Sequence, residues 1–188
     1  MRFLVLGMAL LLWSAPSASA IDNAEAQRLQ VELQRLTVRS AWKGVERTYL
    51  RMVSLDVELP PSTHLMGAQA ARADGELIVC MDRLELAVTT EDQGPQEEQA
   101  KLDAANQFEH MRQRYGKVEL KVASGRLPAL VRFEMPFAPE ERDLIVSARD
   151  DVRKDREYKG LLPVGVYMID GERFEVQNTD VWQAFTID

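Results

Sequence analysis

The chain has 188 residues and a formal net charge of −7, its 23 lysines and arginines scattered among 30 aspartates and glutamates. Nucleic-acid binders carry a basic face or stripe, so this balance argues against a nucleic-acid partner and against attraction to an anionic membrane surface. Cys80 is the only cysteine, which excludes an intramolecular disulfide.

Arg2 is followed by the apolar residues Phe3 to Leu6 and Met8 to Trp13, and then by the small-residue stretch Ser14 to Ala20. That order is the layout of a secretory signal peptide, with an Ala-x-Ala site that places cleavage after Ala20. The apolar run is shorter than the roughly 20 residues a bilayer span needs, and no later stretch reaches that length. Ile21, not a cysteine, stands immediately after the cleavage point, which disfavours a lipid anchor. The expected mature chain is exported, to the periplasm or the outside medium, with no transmembrane segment.

Two amphipathic helices follow. Ala26, Leu29, Leu33 and Leu36 recur at three- and four-residue steps, and Val38, Trp42, Val45, Tyr49 and Met52 repeat the spacing with its phase reset. Trp42 and Tyr49 share a stripe that core packing explains better than an aromatic binding platform. Pro60-Pro61 ends this part, because proline cannot continue a helix from within.

Residues 67–87 read as a helical hairpin. Gly67, Ala68, Ala70 and Ala71 are small enough to let a neighbouring helix approach closely. Asp74-Gly75 is the stop, and Leu77 to Met81 opens a second helix that is apolar over a wide arc and therefore buried. Cys80, in that helix, reads as a small core residue.

On these residues the stretch resembles a tetratricopeptide repeat, a pair of antiparallel helices in about 34 residues. With Pro61 as the first residue of the unit, Ala68 and Ala71 fall at small or aromatic consensus positions and Gly75 at the turn. Leu77, Cys80, Leu84 and Ala87 then occupy the packing positions of the second helix. The chain departs from the pattern at His64, Gly67 and Asp92, where the family has Trp, Leu and a nearby Pro. The likeness covers one unit. It implies a ligand groove lined by the first helix, and the matching positions for a protein or peptide partner are Leu65, Gln69 and Arg72.

Residues 89–99 are polar, with Gly94-Pro95 marking a loop. Leu102, Ala105, Phe108, Met111 and Tyr115 give another amphipathic helix, stopped by Gly116. The hydrophobic period then changes from about 3.6 to 2. Val118, Leu120 and Val122 alternate with charged residues, as do Val131, Phe133, Met135 and Phe137, the pattern of antiparallel strands with one face buried. Pro139 opens a helix with Glu140, Glu141 and Asp143 in its first turns and Ile145, Ala148 and Val152 as its apolar stripe.

Val164 to Ile169 and Glu172 to Val176 flank Asp170-Gly171, a preferred hairpin turn. That turn sets Tyr167 opposite Phe174 and Gly165 opposite Val176. Val181, Phe185 and Ile187 can add a closing strand. LPVGVYMIDGERFEV resembles hairpins of the PEGA and carboxypeptidase-regulatory β modules found in exported bacterial proteins.

No catalytic, metal-binding or cofactor-binding residues emerge. His64 and His110 each lack a second ligand at metal spacing, Ser62 and Thr63 read as helix caps, and there is no P-loop or dinucleotide fingerprint. The expected architecture is α+β: an antiparallel helical bundle over 21–115, then a small antiparallel β-sheet or sandwich over 116–188 with one packed helix at about 139–155. The expected function is a non-catalytic exported interaction or scaffold module. The alternatives are a structural subunit of an envelope assembly that docks through the β part, and an unrecognised secreted hydrolase.

Overall fold

A computed structural model describes residues 18–55, 57–91, 94–134 and 138–188. The expected signal segment lies outside these residues except for its last three, which open the first helix. Five helices come first: α1 (Ala18–Val38), α2 (Trp42–Val53), α3 (Pro61–Ala73), α4 (Leu77–Thr89) and α5 (Pro95–Arg114). Each packs on the next, and α3 also touches both α1 and α5.

The small side chains of α3 put it at the centre of this array. Ala70 joins Leu29, Leu33, Val45, Tyr49 and Met52 in one core, while Ala68 and Ala71 join Leu77, Cys80, Leu84, Ala104 and Met111 in a second. α3 ends as the sequence indicates. Gly75 takes a φ of +82°, its N–H donates to Arg72 O at 3.1 Å, and the Glu76 N–H donates to Ala71 O at 2.8 Å, so the last carbonyls are satisfied.

At the other end of α3, Pro61 is the first helical residue, but Ser62 and Thr63 cap nothing. Glu97 of α5 accepts from the Ser62 N–H and from its hydroxyl, both at 2.8 Å. Thr63 Oγ1 donates to Gln30 of α1. The hydroxyls therefore tie three helices together, and a carboxylate from another helix satisfies one of the free N–H groups of the α3 N-terminus.

α5 starts earlier than the polar run suggests. Pro95 at its first position and Glu97 and Glu98 in its first turn favour helix there. It buries Ala104 and Met111 and leaves Leu102 54% exposed, so its inner stripe is displaced from the expected one. No linker follows. Tyr115 is already extended, with φ −126°, and begins β1 (Tyr115–Val122). Gly116 is thus a strand residue and no helix stop, and a Cβ there would lie 2.3 Å from the Gln177 carbonyl oxygen.

The remaining elements are β2 (Leu130–Arg132), α6 (Pro139–Asp155), β3 (Glu157–Pro163), β4 (Gly165–Ile169), β5 (Glu172–Val176) and β6 (Gln183–Ile187). They make two three-stranded sheets, ordered β3-β1-β6 and β2-β4-β5. β1 pairs antiparallel with β3 and parallel with β6, so the first sheet is mixed where antiparallel pairing was expected. β1 and β2 lie in different sheets.

Between the sheets and α6 lies a core of Val118, Leu120, Ile145, Leu162, Tyr167 and Val176, among others. β2 is short and runs out of phase with the expected alternation. Leu130 is the buried residue, and Val131 and Phe133 are exposed; Met135 and Phe137 lie outside the described residues. The β4–β5 hairpin has the expected register, Tyr167 opposite Phe174 and Gly165 opposite Val176. Those two rings stack with centroids 5.7 Å apart.

The placement of Gly116 gives a discriminating test. Gly116→Ala should cost about 1–3 kcal/mol through overpacking against a backbone oxygen, read as a lowered urea midpoint. Gly125, with nothing within 4 Å of its added Cβ and no positive φ, should tolerate alanine without loss.

Candidate functional site

A concavity forms where the helical array meets α6. Arg72 and Ala73 at the end of α3, the bend at Gly75 and the first residue of α4, Leu77, make one wall. Glu140, Asp143, Leu144 and Ser147 of α6 make the other, around a hollow of about 510 Å³. Leu77 is buried and Leu144 half-buried, both in or against the α3–α4–α5 core, so the floor is apolar. A second hollow of about 240 Å³ shares Leu77, Leu144 and Ser147 and extends past Ile78 to Asp151, Tyr158 and Leu161. A third, of about 380 Å³, shares Asp151, Tyr158 and Lys159 and reaches Asp155 and Glu119. Linked by these shared residues, the three hollows follow one another along α6 and are taken together as a valley.

Two arginines from the array hold the start of α6. Arg72 forks onto Glu140, Nε to Oε1 at 3.1 Å and Nη2 to Oε2 at 3.0 Å. Arg114 donates through Nε to Glu141 Oε1 at 3.0 Å. Such charge-assisted pairs fix geometry as well as adding energy. The Tyr115 phenol lies buried in this region without a hydrogen-bond partner, and burial pushes it up to about 12, with Glu140 adding to the rise.

Leu65, Gln69 and Arg72, the positions the repeat resemblance implies, share one face of α3 at steps of four and three residues. Leu65 is half-buried against the α3–α4–α5 core, Gln69 is half-buried, and Arg72 alone borders the valley. Its guanidinium is already committed to Glu140.

A buried polar network lies across α2, α3 and α4, around two residues the sequence reading passed over. Arg83, 6% exposed, grips both oxygens of Glu46, one at 2.7 Å, and donates to Gly67 O at 2.8 Å. Its guanidinium carbon sits 4.3 Å from the centre of the Tyr49 ring, a cation–π contact. The Tyr49 hydroxyl shares a 3.1 Å hydrogen bond with His64 Nδ1. A Cβ on Gly67 would lie 2.6 Å from the Tyr49 ring, so the glycine is what admits the aromatic side chain. The signal in the sequence was a lone charge among the apolar positions Cys80, Leu84 and Ala87.

This network is bonded inward, and its chemistry is that of a satisfied buried pair. Burial, and then the charge of Arg83, hold the His64 imidazole below its usual range. Cys80 packs its sulfur 3.7 Å from that of Met111, and burial pushes its thiol up to about 11, which leaves little nucleophilic thiolate at neutral pH. Among the described residues, neither histidine is hydrogen-bonded to a serine, threonine or cysteine: His64 meets Tyr49 and His110 meets Arg114. No group of three or more His, Cys, Asp or Glu among them could hold a metal ion, and no helix among the described residues is long and apolar enough to cross a membrane.

Comparison with protein-family models, with curated proteins and with solved structures finds no match. The fold and its surfaces are therefore the ground for a functional reading.

Two outcomes test the buried network. Glu46→Ala, which strands Arg83, should cost about 3–5 kcal/mol, whereas the double change Glu46→Leu with Arg83→Met should recover most of that loss; urea unfolding of the three proteins checks it. His64 supplies the second. Its folded value lies below the unfolded value of about 6.5, so the unfolded chain takes up the proton first as pH falls. The stability it contributes is complete above about pH 6.5 and is lost as pH falls from there through the folded value. Urea midpoints between pH 7.5 and 5 should show this decline, and His64→Gln should flatten it.

Proposed function

We propose that the protein is a non-catalytic, exported interaction module of the bacterial cell envelope, holding a protein or peptide partner in the valley between the helical array and α6. The observation that carries this reading is the valley itself: two walls from different parts of the chain and an apolar floor at Leu77 and Leu144. Binding sites concentrate at such junctions. The charged start, apolar run and Ala-x-Ala site at the N-terminus support export.

Within this reading, α3 and α4 act as a tetratricopeptide-like hairpin. Burial of Ala68, Ala71, Leu77, Cys80, Leu84 and Ala87 and the glycine turn between the helices support that view. The two sheets, sharing one core, are read as a small sandwich. The partner surface centres on the Arg72 end of α3, away from Leu65 and Gln69.

The test places a photoreactive residue at Ser147 in the full-length protein and another at Asn106, on the exposed side of α5. Irradiation in cells should give a discrete protein adduct from position 147 and none from 106. Equal adducts at both, or none at 147, would remove the valley as a binding surface.

One observation favours the second reading, docking through the β part. Leu127, Val131 and Phe133 are all exposed near the β2 edge, the kind of apolar patch that marks an interface. Phe133→Glu should then release the protein from a sedimenting assembly without lowering its melting temperature, and retention would discard this reading.

A further inference from the structure

Asp143, Ser147, Asp151 and Asp155 recur every four residues on α6, and all four line the valley. Four residues of helix rise about 6 Å, so the row places a polar group at regular steps over about 18 Å. Alternate side chains of an extended chain stand about 6.6–6.8 Å apart on one face. The two repeats match closely enough for an extended segment of about six or seven residues to run beside the helix in register. Every second side chain would meet the row, and the intervening ones would face the half-buried apolar residues Ile78, Val79 and Leu144.

Charge decides what those side chains are. Among the described residues Asp143 and Asp151 hold no ion pair, and Asp155 meets only the adjacent Lys154. Glu76 and Glu157 add two more carboxylates to the rim. The nearby cations are engaged: Arg72 with Glu140, and Lys121 and Lys159 both with Glu119, Lys159 also lying over the Trp182 ring. The valley therefore joins an apolar floor to an uncompensated negative wall.

We infer that its occupant is an extended peptide segment in which basic residues alternate with apolar ones, the lysines or arginines meeting Asp143, Asp151 and Asp155 and the apolar side chains meeting the floor. This rests on the valley being the binding surface and names the chemistry it selects.

The test uses the full-length protein and three fluorescein-labelled heptapeptides: alternating Lys and Val, alternating Glu and Val, and a block peptide with the Lys and Val residues of the first sorted into two runs. Fluorescence anisotropy should show binding of the alternating Lys–Val peptide that weakens with salt. Asp143→Asn with Asp151→Asn should weaken it about tenfold. Asp150→Asn, on the same helix but off the valley, should leave it unchanged. Equal affinity for the Glu–Val or block peptide, or no loss in the double variant, would overturn the inference.

A photoreactive residue at Ser147 separates the two levels of the argument. Crosslinking of the Glu–Val peptide as efficiently as the Lys–Val peptide would leave the valley as a binding surface and remove its preference for cations. Crosslinking of neither would remove both.

Discussion

Glu140 and Glu141, neighbours at the start of α6, are each taken by an arginine from a different helix of the array. That double attachment decides where α6 lies. Its inner stripe of Ile145, Ala148 and Val152 belongs to the β core, while Leu144 packs against the core of α3, α4 and α5. Partly exposed ion pairs of this kind contribute about 0.2–1 kcal/mol each. Burial of Leu161 against the same helices contributes more, about 1.5–3 kcal/mol for a large apolar side chain. Apolar burial therefore supplies most of the adhesion between the two parts, and the arginines set the angle. The valley is the space left beside a helix fixed by its first turn and its inner stripe.

The buried Glu46–Arg83 pair plays a different part. Taking both charges out of water offsets much of their attraction, so the pair is a weak source of net stability. What it does is geometric. One guanidinium joins the α2 carboxylate, the Gly67 carbonyl of α3 and the Tyr49 ring, so three helices meet at one spacing. A shift of any of them would leave a buried charge without its partner.

The elements that local chemistry specifies were legible in the sequence. Asp74-Gly75, Pro61 and Asp170-Gly171 each fix a chain reversal or a helix start within a few residues, and the hairpin register followed from its turn alone. β3 was hidden for a physical reason. Leu161 faces the helical core and Leu162 the β core, so the second half of the strand is covered on both sides and the alternation of Glu157 to Gly160 breaks off there. Gly160 and Pro163 further disguise it, although a Cβ at Gly160 would lie 2.3 Å from the Tyr158 hydroxyl, so glycine there is a packing requirement. The phase of β2 was misread because Val131 and Phe133 stay exposed. Of the site, Arg72 was visible as a candidate, but its partner Glu140 lies 68 residues away, and no local pattern reports such a pairing. The four-residue recurrence on α6 was present in the sequence, with nothing to show that a second wall faces it.

β1 is the middle strand of its sheet, and both its neighbours lie later in the chain, in 157–163 and 183–187. The five helices can assemble from contacts close in sequence, the kind that form quickly. β1 has no such option. One side of it waits for residues 157–163 and the other for residues 183–187, and an unpaired strand is a template for pairing with another molecule. The helical array, fused to β1 without a linker, thus forms ahead of Leu161, the β3 residue that joins its core, and carries an unfinished sheet until β6 closes the window in which two copies can entangle.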